Sequence, residues 1–260
     1  MRYFKLYLYF LKMNIKSLFE YKIDMIFSII SIFIWVGSGL VNLGIIYSNL
    51  SEMKGWSLSE VGFLYGMWSL TFAIYNAFGN SVFDIEDYVL TGKMDSMLAK
   101  PISPLFHIIA KRFNIMGVGF LLFGISAIVF FAQYVDVTWN FVNTMYITIS
   151  SLLGGLLIFS TYLLCSCLSF IFVKSNTIIS IGFDIHKFSQ YPLCIYGKWV
   201  QAILVSIFPY AFSNYIPVAV ILGKINSFYG IISPVVCILF FIIALLVWNK
   251  GLKKYEGTGS

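Results

Sequence analysis

The stretch VLTGKMDSMLAKPISPLFH, Val89–His107, is a short polar segment between two long apolar runs. Val61–Phe83 precedes it and Phe113–Val135 follows it, and each run is long enough to cross a bilayer, which takes about 20 apolar residues. The stretch itself combines charged residues, a glycine and two prolines, which are signals for a chain that turns. The chain is therefore predicted to leave the membrane here, expose a short segment and return.

The composition of the whole chain indicates a membrane protein. Of its 260 residues, 60% are apolar and only 11% are charged, and the mean hydropathy is +0.88. An ordinary soluble domain is about 25% charged. No soluble core of this size hides so much apolar surface, so the bilayer must act as the solvent. We therefore expect a single all-α integral membrane domain over residues 1–260.

Six apolar runs predict six transmembrane helices. They are Met25–Tyr47, Val61–Phe83, Phe113–Val135, Phe141–Val173, an interrupted run from Thr177, and Tyr229–Trp248. The continuation of the fifth run breaks at Pro209 and Pro217, so residues 189–226 are predicted to form short re-entrant or outer helices.

Tandem pairs of small residues lie on the fourth run, at Ser150/Gly154 and Ser151/Gly155. This small-xxx-small spacing lets two backbones approach each other closely. We expect a close helix contact here, more often within the chain than between chains.

Residues 1–22 form a basic amphipathic segment. At 100° per residue, Arg2, Lys5, Lys12 and Lys16 fall within a narrow arc, and the apolar residues lie mostly outside it. Such a helix is suited to lie in the headgroup plane of an anionic leaflet. A transmembrane helix that begins early is the alternative, and either one places this segment on the cytoplasmic face.

The distribution of basic residues sets the predicted orientation. With six spans and the N-terminus inside, most lysines and both arginines fall on the inner side, whereas Lys54, Lys198 and Lys224 fall outside. This asymmetry follows the positive-inside rule and predicts that both termini and residues 84–112 are cytoplasmic. Topology thus explains the net charge of +6, and we expect no nucleic acid partner.

Residues typical of catalysis are sparse. The two histidines, His107 and His186, lack metal-ligand spacing with each other, and the four cysteines have no evident disulfide partner. None of the Gly-Lys pairs, at Gly92, Gly197 and Gly223, is followed by Ser or Thr, so the chain lacks a P-loop. We expect no catalytic residue and no metal site in this chain.

Residues 84–112 are predicted to contain a short helix parallel to the membrane. Acidic residues favour its start, because the helix dipole is positive there, and Gly92 permits a bend or a close approach. Pro101 and Pro104 then end the helix and turn the chain towards the membrane. Its apolar side consists of Leu90, Met94, Met97 and Leu98. This pattern favours a docking surface for a cytosolic partner, and a simple re-entry loop is the alternative.

Four motifs occur along the chain: Gly92-x-x-Asp95-x-x-Leu98-x-x-Pro101-x-x-Pro104, FSQYP at Phe188–Pro192, FPYAFSNYIP at Phe208–Pro217, and the tail Lys254-Tyr255-Glu256. Together they resemble the signature of the bacterial ABC-2 type permeases, and in particular a six-span branch of that family. The resemblance covers nearly the whole chain.

The resemblance implies a division of labour. Such permeases pair, as homodimers or with a sister permease, and carry two separate cytosolic ABC ATPase subunits that bind ATP and magnesium; the permease is not an enzyme and needs no cofactor of its own. It implies a bacterial cytoplasmic membrane as the location. The segment between the second and third spans becomes the coupling helix, seated in a groove of the ATPase. The expected contact residues are Glu86, Asp87, Gly92, Lys93, Met94, Asp95 and Leu98.

Asp184, His186 and Lys187 lie near the break in the fifth run. If this helix starts after the preceding polar turn, Asp184 lies about 12 Å along it, where a charge is costly unless it faces protein or water. One interpretation is a polar lining of the translocation path or its outer gate. In that case the outer helices with Pro209 and Pro217 would form a lid. The other interpretation is an Asp184–Lys187 ion pair at i,i+3.

The predicted function is the permease subunit of an ATP-driven exporter that moves an amphiphilic substrate, such as an antibiotic or an antimicrobial peptide, by alternating access. The substrate class rests on family analogy, and lipid-linked or polysaccharide cargo is less favoured. An ion-coupled secondary transporter is the alternative; it predicts inverted repeats and midplane acidic sites, of which only Asp184 fits. A membrane enzyme using His107 or His186 is the weakest alternative.

Overall fold

The computed structural model describes residues 2–172 and 176–255, and within them the predicted all-α class is confirmed. One isolated bridge joins Met53 to Trp56. Met1, the predicted end of the fourth run at residues 173–175, and the tail from Glu256 lie outside the described residues. The α-helices are α1 (Arg2–Glu20), α2 (Lys22–Tyr47), α3 (Leu58–Gly79), α4 (Ile85–Leu90), α5 (Lys93–Leu98), α6 (Pro104–Lys111), α7 (Met116–Phe131), α8 (Phe141–Ser166), α9 (Asn176–Lys187), α10 (Lys198–Ala202), α11 (Tyr215–Ile221) and α12 (Phe228–Lys254).

Helix α3 forms the centre of the fold. It begins with a capping box, in which the Ser57 hydroxyl accepts a hydrogen bond from the Glu60 backbone N–H and the Glu60 carboxylate accepts one from the Ser57 N–H. Most of its side chains are buried, chiefly against α7 and α8. Because protein encloses this helix, it can carry polar groups that would lack hydrogen-bond partners on a lipid-facing helix.

The small residues of α8 allow a close contact, as the sequence predicted. A Cβ atom at Gly154 would lie 2.5 Å from the Ser213 carbonyl oxygen, and one at Gly155 would lie 3.0 Å from the Thr71 carbonyl oxygen. Only glycine leaves room for these neighbouring backbones. The predicted contact is therefore confirmed, and its partners lie within the chain.

Among the described residues, three elements are long and apolar enough to cross a membrane: α2, α8 with the 3₁₀ segment Cys167–Phe170 that continues it, and α12. The bent pairs α6 with α7, at 71°, and Lys198–Ile207 with Tyr210–Ile221, at 77°, raise the number to five if each pair is one span. Helix α3 is long enough but less apolar, and α9 is too short alone. Six crossings therefore remain a prediction.

Helices α2 and α12 lie on the outside of the fold. Only 17% of the most apolar window of α2 and 22% of that of α12 are buried, compared with 72% for α8. Helix α2 exposes large side chains such as Ile26, Phe27 and Ile34. An apolar surface of this extent requires lipid or a protein partner to cover it.

Helix α1 is separate from the first candidate span, because α1 ends at Glu20 and α2 begins at Lys22. It packs against α6 through Tyr3, whose ring lies 5.1 Å from that of Phe106. The Asn14 side-chain amide also donates to the α6 backbone. The chain thus forms two helices here, and the location of α1 in the headgroup plane remains a prediction, as does its alternative.

Two irregular regions lie at opposite ends of α3. Its C-terminal end continues through the 3₁₀ segment Asn80–Asp84 into residues 84–112. Near its N-terminal end, the Lys224 ammonium lies 2.8 Å from the Glu60 carboxylate, and Lys54 donates to the Cys194 carbonyl at 3.0 Å. At 1.5 Å per residue, the 22 residues of α3 separate the two regions by about 33 Å. We refer to them as the 84–112 segment and the 189–226 segment.

Candidate functional site

Before Pro101, the 84–112 segment contains two short helices, α4 and α5, where the sequence predicted one. Helix α4 ends at Leu90, and Gly92 has a left-handed conformation, with φ +70°, before α5 begins at Lys93. A left-handed residue interrupts an α-helix, and glycine adopts this conformation without steric cost. Pro104 also differs from the prediction: it lies in the first turn of α6, where proline fits a helix, rather than ending one.

Four of the predicted contact residues, Asp87, Lys93, Asp95 and Leu98, are exposed on this segment. The Lys93 ammonium lies 3.1 Å from the Asp87 carboxylate, and both side chains are more than half exposed. Leu98 is 44% exposed and Leu90, from the predicted apolar side, is 48% exposed. Apolar side chains bordered by polar ones are typical of a protein–protein contact surface.

Met94 faces the opposite way. Its side chain is fully buried, and Met97 is 5% exposed, both within the main apolar core. Gly92 is partly exposed at the bend. The predicted apolar side is therefore divided: the two methionines attach α5 to the helical body, and the two leucines remain outside.

Glu86 connects the 84–112 segment to α9. Its carboxylate accepts a hydrogen bond from the backbone N–H of Asn176, the first residue of α9. The first N–H groups of a helix have no partner within the helix, and the positive end of the helix dipole favours a carboxylate there. Glu86 thus bonds to another part of this chain, 90 residues further along, rather than lying with the exposed charges.

A second attachment joins this region to α8. The Ser166 hydroxyl at the end of α8 donates to the Val82 carbonyl at 3.0 Å. Nearby, the Lys111 ammonium donates to the Tyr88 hydroxyl at 3.2 Å and lies 5.2 Å from the centre of the Tyr88 ring. The Asn80–Asp84 segment, which leads into the 84–112 segment, is therefore bonded to the end of α8, and the 84–112 segment itself is bonded to the start of α9.

At the other end of α9, Asp184 and Lys187 form the i,i+3 ion pair that the sequence allowed. Their side-chain atoms lie 2.7 Å apart, with the aspartate side chain 68% exposed. The Lys187 ammonium also lies 4.9 Å from the centre of the Phe183 ring. Both charged residues line a shallow cavity of about 420 Å³. The pair therefore lies on an open surface of the chain, not in its interior.

His186 points into the protein instead, because residues two apart on a helix face nearly opposite directions. It is 1% exposed. Its ring stacks on Trp68 at 5.5 Å and on Phe72 at 5.1 Å, and Tyr210 meets it edge-on at 4.8 Å. His186 thus joins α9 to the middle of α3 and to the start of the 3₁₀ segment Tyr210–Phe212.

Several buried polar atoms around this histidine lack a hydrogen-bond partner among the described residues. They include Nε2 of His186, Nε1 of Trp68 and the hydroxyl of Tyr75. Buried polar groups are normally paired, and one left unpaired costs about 1–3 kcal/mol. Such a group marks a position where an ordered water or a rearranged neighbour would be stabilising.

The 189–226 segment contains both predicted lid prolines, and both are buried. Pro209 lies at the 77° bend between the π-helical turn Ile203–Ile207 and Tyr210–Phe212. Pro217 does not break a helix as expected: it lies in the first turn of α11, where a missing N–H costs little.

Sequence reasoning missed Asn214, a fully buried residue of this segment. Its side-chain amide donates to the Ser189 carbonyl at 2.7 Å and its side-chain oxygen lies 3.0 Å from the Ser213 hydroxyl. Ser233 of α12 donates to the Phe212 carbonyl at 2.6 Å. The only signal was the polar pair within FSNYIP, and polar residues in a turn are usually exposed.

The described residues hold no group of three or more side chains able to bind a metal ion. His107 lies on α6, with its ring nitrogen 3.2 Å from the Lys100 ammonium. The described cysteines are not disulfide-bonded. Within residues 2–172 and 176–255, neither histidine is hydrogen-bonded to a carboxylate or a nucleophile.

A model of the ABC-2 family transporter proteins matches residues 7–259, nearly the whole chain. The chain belongs to this family. Neither a curated protein nor a solved structure matches it. The expected resemblance to ABC-2 type permeases is thereby confirmed.

As an ABC-2 family member, the chain is a membrane component of an ABC transporter, a class of permease that works with ABC ATPases. Such a permease is a transport subunit and not itself an enzyme. In this chain, one end of α9 is bonded to the 84–112 segment, and the other end carries Asp184, His186 and Lys187.

Proposed function

We propose that this chain is the permease subunit of an ABC-2 exporter and that its 84–112 segment docks onto a cytosolic ABC ATPase. One observation carries the proposal: Asp87, Lys93, Asp95 and Leu98 are exposed together on two short helices, and Glu86 of the first of them is bonded to the start of α9. A surface that accepts a partner and is also bonded to another helix of the chain can transmit force. A simple re-entry loop needs no such attachment.

The Glu86–Asn176 hydrogen bond supports α9 as the transmitting element. A helix of 12 residues is about 18 Å long. ATP-driven closure of the ATPase pair, with magnesium bound there, would shift the 84–112 segment and with it the start of α9. The far end of α9 would then move His186 against Trp68 and Tyr210, and so move the 189–226 segment. In this proposal, these linked movements produce alternating access.

The translocation path is proposed to run beside the far end of α9. Asp184 and Lys187 line an open cavity next to Phe183, so this surface combines paired charges with an aromatic wall. Such a surface suits an amphiphilic cargo, such as an antibiotic or an antimicrobial peptide. Pro209 and Pro217 belong to the proposed outer lid. A second permease chain, identical or a sister, would complete the path opposite this surface.

The proposed assembly has two ATPases and two permease chains in a bacterial cytoplasmic membrane, with both termini of this chain inside. An ion-coupled secondary transporter gains no support from the geometry. Such a transporter needs an acidic group that exchanges its charge for an ion, whereas the Asp184 carboxylate is paired with Lys187 at 2.7 Å.

The test is affinity purification of the tagged chain from its native membranes, with and without prior crosslinking, followed by an assay of ATP hydrolysis on the eluate. We expect a protein with a Walker-type ATPase sequence to co-purify and to hydrolyse ATP. Mass spectrometry of the same eluate identifies any sister permease. A crosslinked eluate that lacks an ATPase would contradict the proposal.

A charge-reversal variant tests the docking surface directly. Lys93→Glu combined with Asp95→Arg should abolish co-purification of the ATPase, because both side chains are exposed at the proposed contact. The matched control is Asp136→Arg, an exposed aspartate in the turn after α7, which should leave co-purification unchanged. If both variants lost the ATPase equally, or if neither variant lost it, the 84–112 segment would not be the docking site.

A further inference from the structure

A groove of about 790 Å³ lies between the end of α8 and the last turns of α12. Its apolar wall comes from both sides: Leu164 and Leu168 belong to α8 and its 3₁₀ continuation, and Val247 belongs to α12. The groove differs in composition from the 420 Å³ cavity beside Asp184, because none of the described residues that line it is acidic.

Gly251 explains why α12 lies so close to the end of α8 beside this groove. A Cβ atom at Gly251 would lie 2.5 Å from Cδ2 of Phe170. The Phe170 ring also contacts that of Trp248, with 5.4 Å between the ring centres. Phe170 and Gly251 both line the groove, so its walls are fixed by close packing.

Three lysines, Lys250, Lys253 and Lys254, line the same groove. Their i, i+3 and i+4 spacing makes them neighbours on α12. Within residues 2–172 and 176–255, none of the ion pairs involves any of them. A basic residue in the last turn complements the helix dipole, but Lys250 lies a turn earlier and still faces the groove. Three adjacent ammonium groups create a positive potential that attracts an anion.

The location of the groove indicates which kind of anion it would bind. Helix α12 is a candidate span, and its last turns carry the lysines, so the groove lies where the span meets water. The apolar wall at Val247 continues along the exposed apolar surface of α12, which includes Ile243 and Leu246. A soluble anion would contact the lysines and leave this wall uncovered. A ligand that covers both parts needs an anionic head and an apolar chain.

We propose that the groove binds an anionic glycerophospholipid. Its phosphate oxygens accept hydrogen bonds from the lysine ammonium groups, and an acyl chain lies along the wall formed by α8 and α12. The assignment does not require an ATPase partner. Only the assignment of the site to the inner leaflet rests on the proposed orientation of the termini. The lipid site can therefore be disproved without disproving the exporter function, and the reverse is also true.

Native mass spectrometry of the chain alone tests the site. The protein is freed of lipid in a nonionic detergent and titrated with dioleoylphosphatidylglycerol or with dioleoylphosphatidylcholine. We expect one phosphatidylglycerol per chain to bind at least tenfold more tightly than phosphatidylcholine, which carries no net charge. Equal binding of the two lipids would overturn the proposal. Displacement of phosphatidylglycerol by millimolar glycerol 3-phosphate would overturn it too, because the groove would then bind a soluble phosphate.

Matched triple variants separate the groove from general surface charge. Lys250→Gln, Lys253→Gln and Lys254→Gln together should weaken phosphatidylglycerol binding about a hundredfold, because each lysine near an anionic lipid contributes roughly fivefold. The control removes the same charge from α1 through Lys5→Gln, Lys12→Gln and Lys16→Gln. It should leave the tight site unchanged. An equal loss of phosphatidylglycerol binding in the two triple variants would show that the lipid responds to overall charge and does not bind at a specific site.

A third variant tests the space rather than the charge. Val247→Trp keeps all three lysines but places a large side chain in the groove. It should weaken phosphatidylglycerol binding at least tenfold by steric exclusion. Binding equal to that of the original chain would show that the lysines act alone and that the apolar wall is not part of a site.

Discussion

The 84–112 and 189–226 segments both consist of short helices between long ones, but they treat their polar groups in opposite ways. The first exposes them: Asp87 and Lys93 form their ion pair in solvent, with more than half of each side chain accessible. The second buries them: Ser213 and Asn214 are fully buried, and the Asn214 amide donates to the Ser189 carbonyl. The 84–112 segment thus has an exposed ion pair, and the 189–226 segment has a buried hydrogen-bond network.

This difference separates the contacts that hold the fold from those available to a partner. An exposed ion pair contributes little to folding, whereas a buried polar group that loses its partner costs about 1–3 kcal/mol. Substitutions in and around the 189–226 segment should therefore lower stability most. Substitutions on the exposed face of the 84–112 segment should lower ATPase binding and leave stability nearly unchanged.

The largest expected loss of stability comes from Gly154→Ala. The added methyl group would lie 2.5 Å from the Ser213 carbonyl oxygen, so the backbone of the 189–226 segment must shift. We expect the free energy of unfolding to fall by about 3 kcal/mol. The measurement is the thermal unfolding midpoint of the detergent-solubilised protein, followed by tryptophan fluorescence.

The matched control for this substitution is Gly44→Ala on α2. An added Cβ atom at Gly44 meets nothing within 4 Å. Alanine also favours a helix over glycine by roughly 0.5–1 kcal/mol, so the unfolding midpoint should stay or rise. Equal midpoints for the two alanine variants would mean that α8 and the 189–226 segment are not in close contact.

The next largest loss is expected from Asn214→Leu. The substitution removes the hydrogen bond to the Ser189 carbonyl and leaves that buried oxygen without its donor. We expect a loss of about 2 kcal/mol in the same unfolding measurement. Asn49→Leu, at an exposed asparagine after α2, provides the comparison and should change the midpoint little. A stable Asn214→Leu protein would indicate that the buried network does not hold this segment.

The positions of the long, exposed helices α2 and α12 could be predicted from the sequence. The runs predicted at Met25–Tyr47 and Tyr229–Trp248 correspond to α2, Lys22–Tyr47, and α12, Phe228–Lys254. A helix that crosses a bilayer needs about 20 predominantly apolar residues, and such a run can be recognised in a short window of the sequence. The close contact at Gly154 was predictable for a related reason, since small residues at a fixed spacing have few other uses in a membrane helix.

The arrangement of the candidate site could not be predicted in the same way. The contact of Glu86 with Asn176 joins residues 90 positions apart, and no local pattern records it. His186 and Asp184 look alike in the sequence, as ionisable residues near a break. Only the packing of α9 on α3 decides that the histidine is buried and the aspartate exposed. Tertiary contacts of this kind leave no periodic signal.

A smaller loss of stability is expected from Glu86→Ala. The change removes the carboxylate that accepts from the start of α9, and such a contact is worth about 1 kcal/mol. Glu86→Gln keeps an acceptor oxygen and should lose less. In the reconstituted transporter, Glu86→Ala should retain ATP hydrolysis while export per ATP decreases, because the ATPase would still dock but would no longer move α9.

The contrasting variant for this prediction is Asp95→Ala, on the exposed face of the same segment. It should weaken ATPase binding without lowering the unfolding midpoint. If both variants lost binding and export in the same proportion, Glu86 would belong to the docking surface, and the proposed link to α9 would be wrong.

The smallest effect on stability should come from neutralising the Asp87–Lys93 pair. Asp87→Asn with Lys93→Gln removes both charges of an exposed pair, so we expect the free energy of unfolding to change by less than about 0.5 kcal/mol. ATPase affinity should nevertheless fall several-fold at low salt. The loss should shrink as salt rises, because exposed charges are screened beyond about 10 Å at 0.1 M ionic strength. A salt-independent loss of ATPase affinity would require the pair to be desolvated in the complex.

A loss of stability as large as that of Asn214→Leu would remove the distinction between the two segments, since the exposed charges would then stabilise the fold as much as the buried amide does.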